Sequence, residues 1–130
     1  MPGHTGFSHV SLSVTDCDAS ARWYAEVLDF TDLAALKGET FVERLVIHPS
    51  GFALGLQQHD GNDGSGFTPA RTGLDHLSFA VADRAELEAW TARLAEHGVT
   101  QSPIAETDFG AVLCFRDPDG IQLELFSQNG

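Results

Sequence analysis

The sequence predicts an α+β fold in which one unit, a strand followed by a helix and three more strands, occurs twice. The first observation is the stretch "GFSHVSLSVTD", Gly6–Asp16, whose apolar and polar residues alternate as they do along a β-strand. The second is "GLDHLSFAVAD", Gly73–Asp83, which repeats that stretch at an offset of 67 residues. The third is the pair "HPSGFALGL" and "DPDGIQLEL", which match at an offset of 69. A repeat of about half the chain indicates a duplication.

The elements of the first half follow from local pattern. In the first strand, Val10, Leu12 and Val14 form an apolar face, and the opposite face is polar. The segment "DCDASARWYAEVLDF" predicts a helix, with Asp16 or Asp18 able to cap its start. Its predicted buried stripe is Ala21, Tyr24, Ala25 and Leu28. Three strands are expected afterwards, at Thr31–Lys37, Thr40–His48 and Phe52–Gln58.

The second half repeats this order. Asp83 and Glu86 resemble a capping box at the start of a helix, which Gly98 ends. The predicted buried face of this helix is Leu87, Trp90 and Leu94. Strands are expected near Thr100–Ile104, at Ala111–Arg116 and at Ile121–Ser127. We therefore expect one domain over residues 1–130, with module one at about 6–58, a Gly-rich linker at about 59–72 and module two at about 73–127.

Composition excludes several classes of partner. The formal net charge is −12, which argues against binding to nucleic acid or to an anionic membrane surface. No apolar run approaches the roughly 20 residues that span a bilayer, and the first residues do not resemble a signal peptide. The two cysteines, Cys17 and Cys114, do not make a disulfide framework. We expect a cytoplasmic protein.

The polar face of the first strand raises the question of function. A lone histidine there, His9, would ordinarily be a tolerated surface residue. The duplication, however, places His76 at the equivalent position, and Glu124 lies on the non-aliphatic face of the last strand. If a pseudo-twofold axis relates the two sheets, His9, His76 and Glu124 meet. Two imidazoles and one carboxylate can hold a divalent transition metal and leave positions open for a ligand.

At these residues the sequence resembles the vicinal oxygen chelate superfamily, which includes glyoxalase I, extradiol dioxygenases and bleomycin-binding proteins. The matching motifs are "SHVSLSVTD", "RWYAEVLDF", "DHLSFAVAD" and "FRDPDGIQLELF". The resemblance covers Gly6–Phe126 and implies two βαβββ modules forming a cupped mixed sheet around a central cavity. It also implies a homodimer, with His9, His76 and Glu124 as ligands of Fe2+, Mn2+, Zn2+, Ni2+ or Co2+.

Departures from individual members of the family narrow the activity. Gly55 stands where glyoxalase I usually has a fourth ligand, and Ser13 where its bacterial form tends to have a glutathione-binding arginine. Glutathione-dependent glyoxalase activity is therefore not expected. The three-ligand set resembles that of extradiol dioxygenases, but Cys114 replaces their tyrosine. Fosfomycin-type transferases need a cationic patch, and only Arg116 is a candidate cation near the cup.

Further site candidates each keep an alternative interpretation. Glu43 is a candidate general base, unless it forms a solvated charge pair with Arg44. His59 lies near where extradiol enzymes keep a supporting histidine, but a loop histidine is the alternative. Cys114 is either a reactive thiol or a small buried residue. The aromatic candidates, each a pocket wall or a core residue, are Phe109, Phe115 and Phe126.

The predicted function is therefore a metal-dependent enzyme that binds a small substrate through two adjacent oxygens, of the lyase/isomerase or the dioxygenase type. Glu124, Glu43 and His59 are the candidate catalytic residues. The alternative is a non-catalytic protein that binds a small molecule or antibiotic, as bleomycin-resistance proteins do. Those relatives have lost the metal ligands, whereas this sequence keeps three candidates.

Overall fold

The structure, a computed structural model, describes residues 1–128 and divides the chain into two compact units, one from Met1 to Ser65 and one that begins at Gly66. Within the described residues each unit has one helix and one four-stranded mixed sheet, which confirms the α+β class and the βαβββ order. No helix among residues 1–128 is long and apolar enough to cross a membrane.

In the first unit the sheet order is β1-β4-β3-β2, and only the pairing of β1 with β4 is parallel. Its elements are β1 (Val10–Ser13), α1 (Cys17–Leu28), β2 (Thr31–Lys37), β3 (Phe41–Ile47) and β4 (Ala53–His59). Asp16 caps α1, because its carboxylate accepts from the backbone N–H groups of Asp18 and Ala19. Asp29 ends α1 in the left-handed conformation at φ 63°, which an aspartate tolerates and which the sequence did not predict.

The second unit has the same order, β5-β8-β7-β6, with β5 and β8 parallel. Its elements are β5 (Leu77–Val81), α2 (Arg84–Glu96), β6 (Ala105–Glu106), β7 (Gly110–Arg116) and β8 (Gln122–Gln128). As predicted, Asp83 caps α2 by accepting from the backbone of Glu86, and Gly98 follows the helix at φ +67°.

Each core lies between the helix and one face of its own sheet. Leu12 and Val14 are at most 3% exposed, as the strand alternation predicts, whereas Val10 of the same face is half-buried. Tyr24 is fully buried, as the helix pattern predicts. The other fully or nearly fully buried apolar residues of the two cores include Val46, Leu54, Leu56, Leu87, Leu94, Leu113, Phe115, Leu123 and Leu125. Burial of such a side chain stabilises the fold by about 1.5–3 kcal/mol. Ala25 and Trp90, both predicted to be buried, are only half-buried.

Several element boundaries differ from the predictions. β1 and β5 begin at Val10 and Leu77, so His9 and His76 stand immediately before their strands rather than in the middle. The parallel ladders begin with the pairs Val10–Leu54 and Leu77–Leu123, so both histidines precede the paired positions. β4 continues to His59, which is therefore a strand residue and not part of a loop. The strand expected near Thr100–Ile104 is replaced by the two-residue β6 and one isolated bridge from Gln101 to Phe115.

Candidate metal centre

His76 and Glu124 come together in the second unit. The parallel pairing of β5 with β8 sets Ser78 opposite Glu124 and places His76 just before β5. The Nε2 atom of His76 lies 3.6 Å from Oε1 of Glu124. The carboxylate side chain is 15% exposed and the imidazole 41%, so the pair is partly open to solvent. Two of the three predicted ligands thus share one site within a single unit.

The other ring nitrogen of His76 is held by its neighbour. Nδ1 of His76 lies 2.8 Å from a carboxylate oxygen of Asp75, which can only accept a hydrogen bond. With the proton on Nδ1, Nε2 keeps its lone pair and faces Glu124. A carboxylate on the far nitrogen is the usual arrangement behind a metal-binding histidine, since it fixes both the tautomer and the ring orientation. The donor set of the second unit therefore fits a divalent ion.

His9 has a related arrangement in the first unit. Its Nδ1 lies 2.9 Å from the hydroxyl oxygen of Ser8, so here too the preceding residue engages the ring. Ser8 and Asp75 occupy equivalent places in the duplication, one residue before the histidine. Neither Ser8 nor Asp75 was predicted from the sequence, although a polar residue precedes the histidine in both copies of the repeat.

Cys114 contacts the second oxygen of Glu124. The two residues are paired across β7 and β8, and Sγ lies 3.7 Å from Oε2. Burial raises the pKa of the Cys114 thiol, and the negative charge of Glu124 raises it further. A protonated thiol is a hydrogen-bond donor, whereas a reactive cysteine needs a lowered pKa. These features oppose the interpretation of Cys114 as an activated nucleophile.

The first unit places a buried carboxylate near Gly55. Glu43 is only 9% exposed, and Gln57 donates a hydrogen bond of 2.8 Å to its Oε1. A Cβ atom at position 55 would lie 2.5 Å from Oγ of Ser11 and 2.9 Å from Oε2 of Glu43. The two side chains therefore occupy the space that a larger residue 55 would need.

The alternative interpretation of Glu43 as a solvated partner of Arg44 is wrong. Neighbouring strand residues point to opposite faces of a sheet. Arg44 accordingly lies on the helix side, where it donates to Asp18 at 2.8 Å and to Asp32 at 3.1 Å. Glu43 lies on the opposite face and is bonded to Gln57. Because this buried carboxylate forms no ion pair with Arg44, Glu43 is kept as a candidate base.

The remaining candidates differ in their surroundings. His59 ends β4 two residues beyond Gln57, and its ring packs against Phe41 at a centroid distance of 5.6 Å. Phe115 is a core residue at 2% exposure, whereas Phe109 is 77% exposed. Phe126 is half-buried on the strand face that carries Glu124. Arg116, the candidate cation, donates to the backbone carbonyl of Gly120 at 2.8 Å.

Among residues 1–128, no three His, Cys, Asp or Glu side chains form a group arranged to hold a metal ion. The second unit supplies the pair His76 and Glu124, and His9 belongs to the first unit. A centre that uses all three ligands is therefore a prediction.

Comparison with known proteins gives one family. A model described as the Glyoxalase/Bleomycin resistance protein/Dioxygenase superfamily matches residues 6–125. "Putative ring-cleaving dioxygenase MhqA" of Bacillus subtilis (strain 168) is 26% identical over 122 residues, which are 92% of this chain and 39% of MhqA. The chain thus spans about two fifths of the length of that curated relative.

Solved structures agree on the fold. The crystal structure of a glyoxylase/bleomycin resistance protein/dioxygenase domain from Frankia sp. EAN1pec has 41% identity and a TM-score of 0.91, covering 98% of this chain and 100% of that one. A variant of the fosfomycin resistance protein FosX from Listeria monocytogenes, complexed with Mn(II) and 1S,2S-dihydroxypropylphosphonic acid, has 17% identity and a TM-score of 0.74. That match covers 98% of this chain and 95% of the FosX chain.

Proposed function

Because the chain belongs to the Glyoxalase/Bleomycin resistance protein/Dioxygenase superfamily, we propose that it is a metal-dependent enzyme with His9, His76 and Glu124 as ligands. Its substrate is a small molecule with two adjacent oxygens. The observation that carries this proposal is the ordered set Asp75–His76–Glu124, in which one ring nitrogen is anchored and the other faces a carboxylate at 3.6 Å.

Two imidazoles and one carboxylate suit Fe2+, Mn2+, Co2+, Ni2+ or Zn2+. The Mn(II) complex of FosX supports a divalent ion in this fold. The support of Nδ1 of His9 by Ser8 favours His9 as the third ligand. We further propose a homodimer in the cytoplasm, in which His9 comes either from the same chain as His76 or from its partner.

The bound ion would supply Lewis acidity toward the two substrate oxygens, and an iron centre would add redox chemistry. In a lyase or isomerase, Glu43 would accept the proton that the substrate loses. The hydrogen bond from Gln57 to Oε1 restrains this carboxylate and leaves Oε2 to act as the base. His59, at the end of the same strand as Gln57, is the second candidate for moving a proton.

The likeness to MhqA supports ring-cleaving dioxygenase chemistry as the second reaction type. The two reaction types differ in their need for Glu43. Proton abstraction requires a base, whereas ring cleavage by dioxygen would depend on an iron ion and on a catecholate. Loss of turnover in Glu43→Gln with unchanged metal content would favour the lyase or isomerase type.

Metal analysis tests the proposal directly. The protein is purified without a histidine tag, and its metal content is compared with those of His9→Ala, His76→Ala and Glu124→Ala. Each variant should lose most of the bound ion, because removal of one of three ligands leaves a bidentate site. His97→Ala, at the exposed position immediately after α2, is the matched control and should keep its metal.

Stoichiometric metal in Glu124→Ala would contradict the three-ligand centre. A wild-type protein that binds no divalent ion under any loading condition would contradict the enzyme proposal and favour the binding-protein alternative. Light scattering on the same samples measures the assembly, and a monomer at micromolar concentration would contradict the homodimer.

A further inference from the structure

The two carboxylate oxygens of Glu124 have different neighbours. Oε1 lies 3.6 Å from Nε2 of His76, and Oε2 lies 3.7 Å from Sγ of Cys114. The proposed ligand role requires only one oxygen to face the histidine. The thiol of Cys114 therefore contacts Oε2, the carboxylate oxygen that does not face His76.

The position of Cys114 is itself fixed from two sides. On one side, antiparallel pairing sets it opposite Glu124. On the other side, Ser102 donates from its backbone N–H to the carbonyl of Cys114 at 2.9 Å, and its hydroxyl accepts from the backbone N–H of Cys114 at 3.2 Å. Because β6 pairs only with Ala111 and Val112, Ser102 supplies the edge contact that a longer strand would give. The thiol is thus presented to Glu124 from a constrained backbone.

We propose that Cys114 is a positioning residue, whose thiol donates a hydrogen bond to Oε2 of Glu124 and so keeps Oε1 directed toward His76. This inference rests on the proposed role of Glu124 as a metal ligand. In the alternative, sulfur itself would bind the ion, and loading with Co2+ distinguishes the two arrangements.

Removal of a positioning residue changes the metal affinity by a measurable factor. Groups that orient a metal ligand typically change metal affinity by 10- to 100-fold when they are removed. A thiol is a weak hydrogen-bond donor, so the lower end of that range applies. Removal of the donor should therefore raise the dissociation constant for a divalent ion by about tenfold, and a hydroxyl should largely replace it.

The experiment measures binding of Mn2+ alone to the purified full chain, from the electron paramagnetic resonance signal of the free aqueous ion. Cys114→Ala removes the donor and should weaken Mn2+ binding by about tenfold, whereas Cys114→Ser keeps a donor and should stay within about threefold of wild type. Cys17 is the other free cysteine and lies in the first unit, so Cys17→Ala should bind Mn2+ as wild type does. Thermal melting of each variant confirms that it is folded.

The outcomes separate this inference from the proposed function. If wild type binds no Mn2+, or Glu124→Ala binds it as wild type does, the proposed centre fails. If wild type binds Mn2+ and Glu124→Ala does not, but Cys114→Ala equals wild type, only the positioning role is overturned. Equal weakening of Mn2+ binding in Cys114→Ala and Cys114→Ser would contradict a role for the hydrogen bond. A sulfur-to-metal charge-transfer band on loading with Co2+ would show a sulfur ligand and overturn the proposal.

Discussion

Gly55 and Glu124 occupy equivalent register positions in the two units, yet different side chains surround them. In the first unit Ser11 is paired with Gly55, and in the second Ser78 is paired with Glu124. Glu124 extends from its strand to His76 and Cys114. At Gly55 the space is already filled by the side chains of Ser11 and Glu43. The two units thus share the backbone register but carry their carboxylates on different strands, β3 in the first unit and β8 in the second.

This difference teaches that a repeated backbone does not by itself repeat a site. A carboxylate on β4 at position 55 and one on β3 at position 43 reach the same space from different directions. A side chain at position 55 would therefore require the side chains of Ser11 and Glu43 to shift. In the first unit the carboxylate of Glu43 lies within reach of Gln57, which donates to it. The residue equivalent to Gln57 in the second unit is Phe126, whose side chain has no hydrogen-bond donor.

The largest expected effect on stability comes from placing a carboxylate at position 55, as the second unit has at position 124. Gly55→Glu should lower the free energy of unfolding by about 1–3 kcal/mol, because the new side chain is overpacked against Ser11 and adds a second carboxylate beside buried Glu43. Urea denaturation measures the change. Gly61→Glu is the matched control, since a Cβ atom there meets nothing within 4 Å, and it should change stability by less than about 0.5 kcal/mol. Equal stability of the two variants would mean that the space at position 55 is not filled in solution.

The fold could be predicted largely from the sequence because local signals agree with one another. The alternation of Val10, Leu12 and Val14, the capping aspartates and the glycine after α2 each act over a few residues. The short β6 could not be predicted, because the segment near Thr100 makes its edge contacts through Gln101 and Ser102 rather than through a regular ladder.

The candidate site was predicted in part. The sequence predicted that His76 and Glu124 share a site, and the structure shows that their approach follows from the register of two parallel strands. The bond between Glu43 and Gln57 could not be predicted, because it depends on which of two adjacent charged residues, Glu43 or Arg44, faces the helix. Side-chain contacts across strands need the three-dimensional register as well as the sequence pattern.

The residues behind the two histidines offer a smaller contrast between the units. Asp75→Asn should weaken Mn2+ binding by about tenfold, because the neutral amide no longer increases the basicity of His76. Ser8→Ala should weaken it by only about threefold, since a hydroxyl polarises the ring of His9 less than a carboxylate does. Asp60→Asn removes the same charge from an exposed position and controls for the change in net charge. A larger loss in Ser8→Ala than in Asp75→Asn would reverse the expected order.

The smallest expected effect concerns the ion pairs that connect each helix to the edge strand of its sheet. In both units an arginine joins a helix to an edge strand. Arg44 links Asp18 of α1 to Asp32 of β2, and Arg84 of α2 is paired with Glu106 of β6. All of these carboxylates are substantially exposed, so solvent screens the pairs and their contribution to stability is small.

The hydrogen bond and charge of Arg44 lower the pKa of the Asp18 carboxyl below its ordinary value of 3.8. Because the folded pKa is depressed, the stabilisation is present above the unfolded pKa and is lost as the pH falls through the folded pKa. An NMR titration of the Asp18 carboxyl carbon should therefore show a midpoint below 3.8 in wild type and a return toward 3.8 in Arg44→Gln. Lys37→Gln removes a positive charge from the end of β2 and should leave the midpoint unchanged. A wild-type midpoint at 3.8 would mean that the ion pair is not maintained in solution.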